Sequence, residues 1–118
     1  MIILIIFIIN IIISIIVILG QTYLLERIDT KGSGYSVYVE WVKSYKLAVK
    51  QQVDSSGYEF LRDDQGDVIV FEGNVDRTTV HTNVFEYPVI AAKVRLTVEE
   101  YEEWATVRWE LWGCPYEI

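Results

Sequence analysis

Two patterns of apolar residues divide the chain. Residues 2 to 19, IILIIFIINIIISIIVIL, are apolar without periodicity and broken only by Asn10 and Ser14. About 18 to 20 apolar residues are just enough to span a hydrocarbon core of roughly 30 Å as a helix, which satisfies its own backbone groups in lipid. This pattern predicts a hydrophobic helix within residues 1–20. After Gly20 the apolar positions come in short runs rich in Val, Tyr and Trp, separated by Gly, Asp, Ser and Asn. The runs predict strands at Thr22 to Asp29, Tyr38 to Lys50, Tyr58 to Leu61, Val68 to Phe71, Thr79 to Phe85, Val89 to Val98 and Thr106 to Gly113. Between them, Lys31-Gly32-Ser33-Gly34, Asp54-Ser55-Ser56-Gly57 and Asp63-Asp64-Gln65-Gly66 have turn chemistry. Short strands with no amphipathic helix predict an all-β sandwich or barrel.

Charge narrows the partners. All 17 acidic and 10 basic residues follow position 20, so the part after the apolar run carries the whole net charge of −7. Such a field repels polyanions on average, which excludes nucleic acid as an expected partner. An anionic lipid surface would need a local basic or stereospecific site.

Catalytic chemistry is not visible. His81 is the only histidine and Cys114 the only cysteine, far apart in sequence, whereas nucleophilic catalysis needs a nucleophile, a base and an orienting group together. His81 reads as a strand residue on a polar face. No phosphate-binding loop, dinucleotide fingerprint or zinc-ligand cluster occurs. Asp63, Asp64 and Asp67 suggest calcium, but the twelfth-position glutamate of a calcium loop is missing, so a solvated turn is the expected reading. Glu99, Glu100, Glu102 and Glu103 read as a surface run. Neither enzyme activity nor a cofactor or metal is expected. Cys114 is read first as a buried small apolar residue, with a reactive or intermolecular thiol as the other reading.

A spaced signature changes the picture: Gly73-Asn74-x-Asp76, Asn83-x-Phe85, Pro88-x-Ile90-Ala91, Val94-Arg95-Leu96, and Val107-Arg108-x-Glu110-Leu111-x-Gly113-Cys114. With Leu19-Gly20-Gln21-Thr22-Tyr23-Leu24, Asp29-Thr30-Lys31-Gly32 and Trp41-Val42-x-Ser44-Tyr45-Lys46-Leu47 upstream, it resembles the later part of a discoidin domain, also called the coagulation factor 5/8 type C domain. The resemblance implies a distorted jelly-roll β-barrel, truncated at its N-terminal half, over residues 21–114, with a tail at 115–118. In that family the cysteine matching Cys114 pairs with one near the domain start, a part not seen here. A barrel lacking its opening strands is expected to leave Trp41, Phe71, Trp109 and Leu111 incompletely buried. Residues 1–20 keep three readings: a spanning or anchor helix, a less well fitting signal peptide, and an artefact of a misjudged gene start.

By resemblance the chain is an extracellular or cell-surface binding module for cell adhesion or ligand recognition. The implied ligand is a lipid, glycan or protein, with membrane anchoring through residues 2–19 on the helix reading. The family meets ligand through loops at one end of the barrel, which points to Tyr35, Ser36, Val37 and Tyr38. Asn74 and Asp76 match a bracing turn, and Arg95 and Arg108 match two strand arginines expected to pair with a carboxylate or carbonyl inside the barrel. The rival readings are a truncated, non-binding fragment and a carbohydrate-binding module detached from a secreted enzyme.

Overall fold

β-branched residues pack well on a pleated surface, and the second part of the isoleucine run does so. The computed structural model describes residues 14–34, 39–52, 57–103 and 105–116. Six strands are formed: β1 (Ser14–Lys31), β2 (Trp41–Lys50), β3 (Glu59–Phe60), β4 (Phe71–Glu72), β5 (His81–Glu102) and β6 (Arg108–Pro115). They make one antiparallel sheet in the order β3-β2-β5-β1-β6, with β4 paired on β2.

The hydrophobic helix expected within residues 1–20 is corrected where it can be seen. Residues 14–20 open β1, and Ser14 to Ile18 pair with Thr97 to Lys93 of β5. The alternation explains the choice: Val17 is buried and Ile15 and Leu19 lean on the core, while Ile16 and Ile18 face outward. The part of the expectation that falls on residues 1–13 lies outside the described residues. Among the described residues no helix is long and apolar enough to cross a membrane.

Two irregularities in β1 aim its side chains. Between Ile18 and Tyr23 the register with β5 jumps by several residues around Gly20, and between Leu25 and Arg27 it jumps again at Glu26. A bulge shifts the in–out alternation. Leu25 is therefore buried on one side of Glu26, and Ile28 and Thr30 on the other.

The expected strands Thr79–Phe85 and Val89–Val98 are one strand, β5. Pro88 does not end it, since residues 85–88 bulge opposite the single Glu26, and a bulge tolerates the missing N–H. The core joins Val17, Leu25 and Ile28 to Val42, Leu47, Val94, Leu96, Trp109 and Leu111. Tyr45 stacks on Phe71 at 5.5 Å, and Phe85 meets Phe71 edge-on at 6.0 Å. The expected incomplete burial is thus corrected for Phe71, Trp109 and Leu111, which are buried: Phe71 against Tyr45 and Phe85, Trp109 and Leu111 on β6 where it pairs with Thr30 and Ile28 of β1. Trp41 is half-buried.

Candidate functional site

The chain leaves β1 at Lys31 through Gly32-Ser33-Gly34, and two glycines are needed there for different reasons. A side chain on Gly32 would meet the Glu40 carbonyl at 2.7 Å and the Arg77 Cα at 2.8 Å, so only glycine allows this approach. Gly34 has φ +80°, a left-handed backbone, with the Arg108 guanidinium packed against it. Ser33 N–H donates to the Glu40 carbonyl at 3.0 Å, and Gly34 N–H donates to the Arg77 carbonyl at 2.7 Å. The loop that follows is therefore pinned at its root from two other segments.

The residues around this root come from separate parts of the chain. Asn74 is buried, and its Nδ2 donates to the Thr30 carbonyl at 2.8 Å and the Thr79 carbonyl at 3.0 Å. Its own N–H donates to the Val42 carbonyl. Asp76 accepts from the Thr79 N–H at 2.7 Å, the Thr79 hydroxyl at 2.8 Å and the Thr78 N–H at 3.0 Å. These bonds, the Thr79 N–H first, hold its carboxyl below the ordinary carboxylate value. Arg108 Nε donates to the Gly32 carbonyl at 3.1 Å. Asn74, Asp76 and Arg108 thus converge on one end of the barrel. A shallow cleft of about 210 Å³ beside it is lined by Lys31, Val80, Arg108 and Glu110.

The predicted ligand loop, Tyr35, Ser36, Val37 and Tyr38, lies outside the described residues; what the structure gives is its root. Arg95 is elsewhere. It was expected inside the barrel, but Val94 and Leu96 take the inward positions and alternation sends Arg95 outward. There its Cζ lies 4.8 Å from the Tyr58 ring centre and 5.4 Å from that of Phe60. Cys114 is also corrected: it is exposed, not buried. It pairs with Leu24 at the far end of β6 from Arg108, on the outermost strand of the sheet. The Asp63 carboxylate accepts from the Gln65 and Asp67 N–H groups, as in an Asx turn.

Two valines missed by sequence reasoning stand at the same end. Val75 (83% exposed) and Val80 (52%) lie on the turn that Asn74 and Asp76 brace. Exposed β-branched residues within a Gly-Asn-x-Asp turn were the available signal.

The F5/8 type C domain model matches residues 13–111. Lactadherin of Mus musculus is 33% identical over 96 residues, covering 81% of this chain and 20% of that protein. Neurexin-4 of Drosophila melanogaster is 31% identical over 98 residues, covering 83% of this chain and 7% of that protein. Discoidin II of Dictyostelium discoideum has the same fold, with a TM-score of 0.73 at 25% identity over 88% of this chain and 38% of that chain. The chain thus spans a small part of the curated relatives it matches.

Proposed function

Because the chain belongs to the F5/8 type C domain family, the discoidin family, we propose that it is an extracellular, non-catalytic binding module whose ligand docks at the barrel end carrying the 35–38 loop. The observation that carries this reading is the bond from Gly34 N–H to the Arg77 carbonyl. It ties the loop root to the 74–80 turn, where Val75 and Val80 are exposed. A rigid root lowers the ordering cost of binding, and the exposed Val75 and Val80 supply apolar area. The resemblance implies a cell-surface lipid, glycan or protein as ligand, with nucleic acid disfavoured by the net charge of −7.

The test is co-sedimentation with phosphatidylserine vesicles together with a glycan array, on the parent and on Tyr35→Ser/Val37→Ser. At roughly 25 cal/mol per Å² the double change costs about 1 kcal/mol or more of binding free energy, with only mild salt dependence. Val75→Ser weakens the same interaction. If parent and double variant bind equally on both platforms, the site is not at this end.

A second reading, a fragment that binds nothing by itself, is favoured by one feature. A groove of about 630 Å³ runs between residues 59–72 and the first half of β5, with Phe60, Ile69 and Phe85 among its lining and Val84 and Tyr87 exposed beside it. A folded parent that binds neither vesicles nor glycans supports this second reading.

A further inference from the structure

The outward face of the sheet, away from the loop root, holds a trough with a cationic floor. Lys50 of β2 stands directly opposite Lys93 of β5, and Ala48 opposite Arg95. Continuing across, Ile18 pairs with Lys93 and Ile16 with Arg95, while Phe60 of β3 pairs with Ala48. Partners in a register share a face, so three cations lie in the middle. Ile16 and Ile18, 51% and 66% exposed, form one wall, and Tyr58 and Phe60 the other. Ala48 is small and fully buried. This leaves room for the Arg95 side chain to lie flat toward the two rings. Lys50 Nζ comes within 5.0 Å of the Tyr58 ring centre from the same side of the trough.

Three observations indicate a missing anion. Like charges placed directly opposite one another on a sheet destabilise it, yet Lys50 and Lys93 are such a pair. Carboxylates are abundant, 17 against 10 basic residues. Even so, no ion pair of Lys50, Lys93 or Arg95 occurs among the described residues, while neighbouring Lys46 is bound to Glu99 at 2.9 Å. Arg95 Nε is also buried without an acceptor.

We propose that this trough binds a linear sulfated or carboxylated glycan, its anionic groups on Lys50, Lys93 and Arg95 and its ring faces against Tyr58 and Phe60. The shape favours a chain over a bilayer: the half-buried cations lie below exposed isoleucines, so a flat surface meets the walls first. The net negative charge does not prevent this, because at physiological salt charges beyond about 8 Å are largely screened. The trough lies near Lys50, whereas the 35–38 loop adjoins the start of β2 at Trp41, so the two sites are about 30 Å apart along the strand. This inference stands apart from the loop reading.

The test is titration of the full chain with a heparin hexasaccharide, at low and at physiological salt, alongside phosphatidylserine vesicles. The parent binds the hexasaccharide in a salt-sensitive way and is stabilised against heat by it. Lys50→Gln/Lys93→Gln weakens binding by about tenfold or more, the effect of losing charge-assisted contacts, and melts no earlier than the parent because a repulsive pair is gone. Lys43→Gln, a lysine paired with Glu102 elsewhere on β2, binds like the parent. Should the double variant fail to fold, Lys93→Gln alone decides, with the same expected direction. The proposal is overturned if the parent does not bind the hexasaccharide, if the trough variants bind it as well as the parent does, or if only vesicles are bound.

Discussion

The two halves of β5 differ more than their sequences do. In the second half, Ala91 to Glu102, residues 93–97 are flanked by β1 on one side and β2 on the other, and Val94, Leu96 and Val98 alternate inward. His81 to Ile90 is as rich in β-forming residues but is paired with β1 alone. Its other side faces the groove, its register is broken at residues 85–88, and Val84 and Tyr87 are 73% and 65% exposed. Strand propensity is therefore equal in the two halves, and neighbours make the difference. The first half is held instead at points: by Asn83 Nδ2, which donates to the Tyr45 hydroxyl at 2.9 Å and the Glu72 carbonyl at 2.7 Å, and by the 74–80 turn at its start.

The strongest way to break this comparison is a matched pair of truncations. Leu96 is fully buried between two strands, so Leu96→Ala costs about 2–5 kcal/mol of stability. Val84→Ala, on the half with one neighbour, stays within about 0.5 kcal/mol. Urea unfolding of both variants measures this, and equal losses would show that the halves are packed alike.

Asn74→Ala comes next. It leaves the buried Thr30 carbonyl and the Thr79 carbonyl without their donor, a loss of about 1–3 kcal/mol. Amide exchange sharpens the point: protection should fall at residues 81–84, which follow the turn, before it falls at 94–98. Loss spread evenly over both stretches would mean that the turn does not hold the first half on its own.

Tyr45 couples the halves through pH. Burial pushes its phenol well above the ordinary value of 10.0, outweighing the Asn83 bond that lowers it. A folded pKa raised above the unfolded one gives a contribution that is complete below the unfolded value. It is lost as pH rises above about 10. Tyr45→Phe costs about 0.5–1.5 kcal/mol at neutral pH through the lost bond. It also flattens the alkaline limb of the stability profile, which chemical denaturation at stepped pH would read. An unchanged alkaline limb would place the titrating group elsewhere.

How much of this was legible depends on whether one local pattern decided the outcome. The strand at 89–98 was readable because Val94, Leu96 and Val98 alternate, and the same parity would have sent Arg95 outward had it been applied to that residue. The signature around Asn74 and Asp76 was readable because turn residues act on their own backbone. The end of the isoleucine run, residues 14–19, was misread because the run's length suits a bilayer as well as a sheet. Only its pairing with residues 93–97, far off in sequence, selects the strand at 14–20. Thr79–Phe85 and Val89–Val98 were read as two strands for a similar reason, since the bulge that joins them at residues 85–88 depends on Glu26 of another strand. The cationic trough was hidden altogether: Lys50, Lys93 and Arg95 become neighbours only through the β2–β5 register.

The smallest expected effect concerns Asp76, which braces the turn where the weaker half of β5 begins. Bonds from Thr79 and Thr78 stabilise its ionised form and lower its pKa from the ordinary 3.8. A depressed folded pKa gives stability that is present above the unfolded value and is lost as pH falls through the folded one. The window is therefore the acid side of the ordinary carboxylate range, and neutral pH lies on the plateau. Asp76→Asn keeps an acceptor for one donor but removes the charge, so the variant is less stable than the parent at neutral pH and its acid limb is shallower. The two curves should close on each other as the parent carboxyl protonates. Because the side chain is exposed the difference is small, and amide exchange at residues 78–82 detects it better than global unfolding. Parallel acid limbs in parent and variant would mean that Asp76 braces the turn without its charge mattering, leaving Asn74 as the main anchor of the first half.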